Sequence, residues 1–183
     1  NKAFEGREDE INTCIACNQA CLDHTFEGKS VSCLVNPRAA HETILNYEPT
    51  ANAKKIAVIG AGPAGMSYAT VAAERGHNVT LFDMASEIGG QFNLAKQVPG
   101  KEEFVETLRY YKRMLEIHNV DVRLNSTVSA EQLKQSDFDH VVIATGITPR
   151  TPDIEGIDHS SVVSYIDVIH GNCEVGKRVA VMG

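Results

Sequence analysis

Four cysteines and a six-residue glycine loop carry the chemistry this chain can do. Cys14, Cys17, Cys21 and Cys33 are spaced C-x2-C-x3-C-x11-C, so three thiols come from one short loop and the fourth returns from beyond a turn around Gly28. Thiols bunched in this way supply several ligands to one compact centre. Three chemistries compete for them: disulfides, a four-cysteine zinc site, or an iron–sulfur cluster. Disulfides fit poorly where no secretion signal is seen, and structural zinc more often uses two separated C-x2-C knuckles where here there is one. A cubane cluster with three near ligands and one distant ligand fits best. His24, inside the same loop, reads as an ordinary histidine beside four thiols that already complete a ligand set. Arg38 follows Cys33 closely and is read either as a partner for cluster charge or as a solvated arginine, and Cys173 as a spare thiol.

Gly60-Ala61-Gly62-Pro63-Ala64-Gly65 matches G-x-G-x-x-G. The first glycine permits a tight turn, the second lets a pyrophosphate approach the backbone, and the third lets helix and strand pack closely. Phosphate charge then meets the unpaired N–H groups and positive dipole end of a helix. Asp83 lies 23 residues after Gly60, placed to accept hydrogen bonds from an adenosine ribose. A carboxylate there disfavours a 2′-phosphate, so the site suits FAD or NAD better than NADP. Glu87-Ile88-Gly89-Gly90-Gln91 and Ala144-Thr145-Gly146 are two further small-residue turns, neither diagnostic from physics alone. No Ser-His-Asp, paired-carboxylate or H-E-x-x-H arrangement stands out, and no residue is assigned a catalytic role.

The elements that position these residues alternate. Lys55 to Ile59 is a short β-branched strand, followed by a small-residue helix to Arg75 with Pro63 in its first turn and Gly76 at its end. Asn78 to Phe82 reads as a second strand, and the residues through Gly89-Gly90 and Pro99-Gly100 as polar turns. Lys101 to His118 is the most helical window: Phe104, Leu108, Tyr111 and Leu115 recur on one face, leaving Glu103, Glu106, Arg109 and Lys112 largely for solvent. A strand over Val120 to Leu124 follows, then a short helix opened by Ser129 and Gln132 at capping-box spacing. Phe138 to Ala144 is a further strand, Ser164 caps a short helix through His170, and Lys177 to Met182 reads as one more strand. The expected fold is α/β, a Rossmann-like FAD/NAD(P)-binding parallel sheet with an N-terminal loop-rich iron–sulfur segment. The expected divisions are 1–48 for the cluster segment, 49–150 for an incomplete FAD-binding domain, 151–175 for a connector and 176–183 for the first strand of an NAD(P)H-binding domain.

Composition excludes other classes. The 183 residues carry 17 Lys and Arg against 24 Asp and Glu, a net charge of −7, with 43% hydrophobic residues. No apolar stretch approaches the roughly 18 residues of a membrane span, and no basic or aromatic-studded stripe suggests nucleic acid. A soluble, cytoplasmic protein whose partner is a dinucleotide, neither nucleic acid nor membrane, is expected. The opening Asn1-Lys2-Ala3 and the stop directly after an apolar run predict an excerpt of a longer polypeptide.

The segments Cys14-Ile15-Ala16-Cys17-Asn18-Gln19-Ala20-Cys21, Ser32-Cys33-Leu34-Val35-Asn36-Pro37-Arg38, the Gly60 loop, Glu87 to Gln91 and Pro99-Gly100-Lys101-Glu102-Glu103 resemble the bacterial 2,4-dienoyl-CoA reductases. These form part of the iron–sulfur flavoprotein branch of the old-yellow-enzyme, or NADH:flavin oxidoreductase, family. The resemblance spans nearly the whole chain. It implies an N-terminal barrel with FMN and the substrate site, then a [4Fe-4S] segment, then a FAD domain interrupted by an NAD(P)H domain. This chain would hold the cluster segment and the first part of the FAD domain. By matching motif, Cys14, Cys17, Cys21 and Cys33 would be cluster ligands. Gly60, Ala61, Gly62, Pro63, Ala64 and Gly65 would cradle the FAD pyrophosphate, Asp83 would hold the ribose, and Gly90, Gln91 and Lys101 would lie along the cofactor. Val128 would meet the adenine through its backbone, and Thr145 and Gly146 would form the second close approach. The implied function passes electrons from NAD(P)H to FAD, to the cluster and to FMN for reduction of an unsaturated fatty acyl-CoA, in fatty acid β-oxidation. Two alternatives stay open: a trimethylamine dehydrogenase-like enzyme binding ADP, and a non-catalytic zinc-stabilised nucleotide-binding module.

Overall fold

A computed structural model of the chain describes residues 1–182. The N-terminal 54 residues are mostly irregular. They contain a 3-10 turn at Glu8–Glu10 and a short helix α1 at Leu22–Phe26. From Lys55 onward strands and helices alternate: β1 (Lys55–Ile59), α2 (Pro63–Glu74), β2 (Asn78–Phe82), α3 (Phe92–Ala95), α4 (Phe104–Ile117), β3 (Asp121–Arg123), α5 (Ala130–Gln135), β4 (His140–Ile143) and α6 (Tyr165–Ile169). The four strands form one parallel sheet in the order β3-β2-β1-β4. Ile56 lies opposite Val79 on one side and His140 on the other. The expected α/β parallel architecture is therefore present.

Strand β1 is apolar at every central position because it is buried on both faces as well as paired on both edges, and such a strand has no solvent side to mark with polar residues. Ile56, Ala57 and Val58 are all at or below 2% exposure. Helix α2 then sends Met66, Ala69 and Ala72 into the same core as Leu81, Val79, Leu115 and Val120. Fully burying a side chain such as Leu81 or Met66 is worth about 1.5–3 kcal/mol each. Helix α4 adds Met114 and Leu115 to the buried set, while Leu108 and Tyr111 pack against its edge.

The capping signals are satisfied as expected. Ser129 and Gln132 form a reciprocal capping box, and the Ser164 side chain accepts from the Asp167 amide. Three expectations differ. The stretch read as polar turns between β2 and α4 contains α3, whose Phe92 ring stacks on Phe104 at 4.9 Å and gives a short helix an apolar contact to form on. Arg109 turns inward from α4 instead of facing solvent. Residues 177–182 carry no strand, since a parallel strand exists only by pairing and these residues pair with no ladder among the described residues. Gly183, the last residue of the expected first strand of an NAD(P)H-binding domain, lies outside the described residues. Among the described residues no helix is long and apolar enough to cross a membrane.

Candidate functional site

Strand order reverses beside β1: β2 and β3 lie on one side and β4 on the other. In an open parallel sheet, a crevice opens beyond the carboxyl ends of the strands at this point. The glycine loop occupies it. Gly60 leaves β1 at φ +110°, and a side chain there would meet the Ala144 carbonyl oxygen at 2.3 Å. A Cβ on Gly65 would stand 1.8 Å from the Gly60 carbonyl oxygen. These two glycines are bare because protein backbone fills the space. Gly62 differs: a Cβ there would meet nothing within 4 Å, and its backbone is ordinary extended at φ −73°. Its bareness opens onto space outside the chain, where α2 begins with unpaired N–H groups.

Around this opening, hydrogen bonds fix the surrounding turns. The Gly89 amide donates to Ala61 O at 2.8 Å, which brings the 89–91 turn over the loop, and Gly90 passes beside Gly62. Gln91 Nε2 donates to Ile147 O at 3.1 Å and joins that turn to the strand-end segment carrying Thr145 and Gly146. Both of those residues are exposed at the rim. Asp83 follows β2. Its carboxylate accepts from the Ala61 amide at 2.6 Å and the Ala85 amide at 2.8 Å, so it braces the loop while keeping lone pairs free for further donors. The Ser126 amide donates to Asp83 O at 2.8 Å, leading the chain past this end of the sheet towards the half-buried Val128. Pro63 and Ala64 open α2. Lys101 is exposed, its ammonium 5.0 Å from the Phe104 ring centre. The Gly100 amide donates to Glu102, and hydrogen bonds from the Gly100 and Glu102 backbone hold that carboxyl below its ordinary value, stabilising the turn beside Lys101.

The cysteine loop lies on the N-terminal segment. Cys14, Cys17, Cys21 and Cys33 are all free thiols, with Cys14 exposed and the others half-buried. Among the described residues no group of three or more His, Cys, Asp or Glu side chains converges on a metal position. The donor set nonetheless fits a cluster in chemistry and wiring. The Ala16 amide donates to Cys14 Sγ at 3.4 Å, the kind of N–H···S contact that stabilises cluster-bound thiolate. Ala16 and Asn18 flank Cys17 in left-handed conformations, at φ 52° and 57°, wrapping the chain around that thiol. Ser32 N donates to Ala20 O at 3.0 Å, which ties the arm bearing Cys33 to the arm bearing Cys21. Arg38 lies over the Tyr47 ring at 5.3 Å, and His24 Nδ1 is within 3.1 Å of Ser30 O. Sequence reasoning missed Asn12, whose side-chain amide bonds Val35 O at 2.5 Å, because side-chain-to-backbone bridges across 23 residues leave no periodic signal.

The sequence model of the pyridine nucleotide-disulphide oxidoreductases matches residues 54–183. A metal reductase of Desulforamulus reducens is 39% identical over 187 residues, covering all of this chain and 28% of that protein. A cinnamate reductase of Clostridium sporogenes is 35% identical over 188 residues, again over the whole chain and 27% of the relative. Among solved structures, a 2-naphthoyl-CoA reductase complex superposes with a TM-score of 0.90 at 40% identity, over 96% of this chain and 27% of that one. The chain thus spans little more than a quarter of the length of these relatives.

Proposed function

The chain belongs to the pyridine nucleotide-disulphide oxidoreductase family, and on that premise we propose that it is the electron-transfer portion of an NAD(P)H-dependent reductase that acts on an unsaturated acyl-CoA, of the 2,4-dienoyl-CoA reductase type. The observation that carries this reading is Gly62, bare towards open space at the switch point while its neighbours Gly60 and Gly65 are bare towards backbone. In such a loop Gly60 and Gly65 admit nothing larger than a hydrogen, while the side of Gly62 is free of protein atoms and is where a pyrophosphate would approach the backbone. In this reading Gly60 to Gly65 cradle the pyrophosphate of FAD, Asp83 holds the ribose, and Val128 meets the adenine. Gly90, Gln91, Lys101, Thr145 and Gly146 line the cofactor's course, and Cys14, Cys17, Cys21 and Cys33 hold a [4Fe-4S] cluster. Bound FAD supplies two-electron acceptance from NAD(P)H, and a bound cluster supplies single-electron passage towards FMN elsewhere in the protein.

The chain's own residues bind and orient. The α2 N-terminus presents its unpaired amides to phosphate charge, and Asp83 disfavours a 2′-phosphate on the ribose. Residues 1–48 form the cluster segment, 49–150 the first part of the FAD-binding domain, 151–175 a connector and 176–183 the beginning of an NAD(P)H-binding domain. An acyl-CoA substrate is supported by the naphthoyl-CoA reductase likeness and by the residues around Pro99. The test is an anaerobic visible spectrum of the full-length protein with iron, sulfide and zinc analysis and identification of the released nucleotide. About four irons and four sulfides per chain with FAD are expected. Zinc without sulfide, or ADP without a second flavin, overturns the reading.

A further inference from the structure

By helical spacing Arg109 belongs on the solvent side of α4, yet its side chain is only 31% exposed and every donor is engaged with the N-terminal segment or its own helix. Nε donates to Glu106 Oε2 at 2.6 Å. Nη1 donates to Asp9 O at 2.6 Å and Glu8 O at 3.4 Å, and Nη2 to Ile11 O at 2.9 Å and Thr13 Oγ1 at 3.2 Å. These acceptors run along the backbone that leads into Cys14. One turn further along α4, Arg113 Nε pairs with Asp9 Oδ2 at 2.7 Å.

The anchor continues into both arms of the thiol loop. Thr13 immediately precedes Cys14, and Ile15, between Cys14 and Cys17, is 5% exposed. Asn12 bonds Val35 O, two residues past Cys33. Arg109 is therefore joined through one residue to the arm of the first cysteine and through Asn12 to the arm of the last. Backbone pairing does not connect this segment to the sheet, since the 3-10 turn packs on α4 and the strands pair only with one another. Side chains of α4, Arg109 foremost with five hydrogen bonds and Arg113 beside it, join the residues ahead of Cys14 to the fold.

We infer that Arg109 is the positioning residue that sets the four-cysteine loop on the dinucleotide-binding fold. The geometry needs a fork: two terminal nitrogens reach separate carbonyls while Nε stays on Glu106, and a lysine ammonium offers one centre in place of three. The inference rests on the cluster reading only for what the loop holds; the anchoring itself stands on this chain's own contacts. Its consequence is that the separation between loop and nucleotide crevice is fixed by a side chain, and single-electron transfer is steeply sensitive to such a separation.

The test uses full-length protein prepared anaerobically, carrying Arg109→Gln, Arg109→Lys or, as a control on the same helix, Lys112→Gln. Amide hydrogen exchange is followed at 8–17 and in the sheet at 56–59 and 79–82, and the reduced-state paramagnetic spectrum is recorded on protein with full iron content. Both Arg109 variants are expected to speed exchange at 8–17 by about a hundredfold, as loss of several charge-assisted bonds implies, with sheet exchange unchanged. They are also expected to shift the paramagnetic spectrum, and Lys112→Gln to do neither. Unchanged exchange at 8–17, equal acceleration through the sheet, or full rescue by Arg109→Lys overturns the inference. Wild-type protein without iron and sulfide sinks the cluster reading alone, because the exchange comparison on metal-free chain still decides the role of Arg109.

Discussion

Gly62→Ala separates binding from folding at a single position. The added methyl meets no protein atom within 4 Å, and the backbone at φ −73° and ψ −180° is open to any residue. Two small effects on stability oppose each other. Alanine restricts the unfolded chain, worth about 0.4–1 kcal/mol in favour of the fold. It is also a poorer helix N-cap than glycine, by several tenths of a kcal/mol up to about 1. The net change in unfolding free energy is expected to lie within about 1 kcal/mol of zero. On the proposed function binding has no such compensation, because the methyl would occupy the approach of the pyrophosphate to the loop. Forcing one carbon into a filled contact costs about 1–3 kcal/mol, or roughly a 5- to 150-fold weaker dissociation constant. Titrating flavin-stripped full-length protein with FAD by fluorescence, alongside urea unfolding, reads both quantities. Undiminished FAD affinity, or a stability loss of several kcal/mol, would refute the assignment of the open side of Gly62 to phosphate.

Gly65→Ala is expected to do the reverse, since its methyl would overlap the Gly60 carbonyl at 1.8 Å and force strand end and helix apart. A cost of about 3 kcal/mol or more in urea unfolding checks this. Asp83→Ala leaves the fully buried Ala61 amide without its acceptor, so stability should fall by about 1–3 kcal/mol and adenosine-end affinity with it, while iron content stays unchanged. Cys17→Ser should remove iron and sulfide and leave FAD affinity in place, measured by metal analysis and titration; parallel loss of both would mean that the fold itself had failed. The Tyr110 phenol is pushed above its ordinary value of 10.0 by burial, reinforced by Tyr111 and Glu74. The folded chain keeps that proton while the unfolded chain releases it, so stability is fully present below pH 10 and declines as the pH rises towards the raised value. Tyr110→Phe should flatten that alkaline decline in denaturation curves.

The glycine turn between β1 and α2 and the place of Asp83 after β2 were legible because their requirements are local. Gly60, Gly62 and Gly65 must sit between a strand and a helix, Asp83 must end the next strand, and both conditions are written in consecutive residues. Capping was legible for the same reason at Ser129 and Ser164. The spacing of Cys14, Cys17, Cys21 and Cys33 is likewise written in the sequence, but among the described residues these thiols do not converge on one metal position. Less was legible where a contact joins distant segments. Helix α3 depends on Phe92 meeting Phe104, and the 177–182 stretch lacks a ladder to join, neither of which periodicity over a short window reports.

What the sequence alone determined is the alternation of strands and helices, the parallel sheet it entails, and the identity of the glycine, carboxylate and thiol groups. Local sterics and hydrophobic period act over a few residues, and those few residues suffice to decide them. Only the tertiary structure decided that Gly60 and Gly65 face backbone while Gly62 faces open space, that Gln91 reaches Ile147, and that Arg109 leaves the solvent face to hold the residues ahead of Cys14. A side chain's partner across about 100 residues is set by how the chain packs in three dimensions, and a one-dimensional pattern carries no term for it.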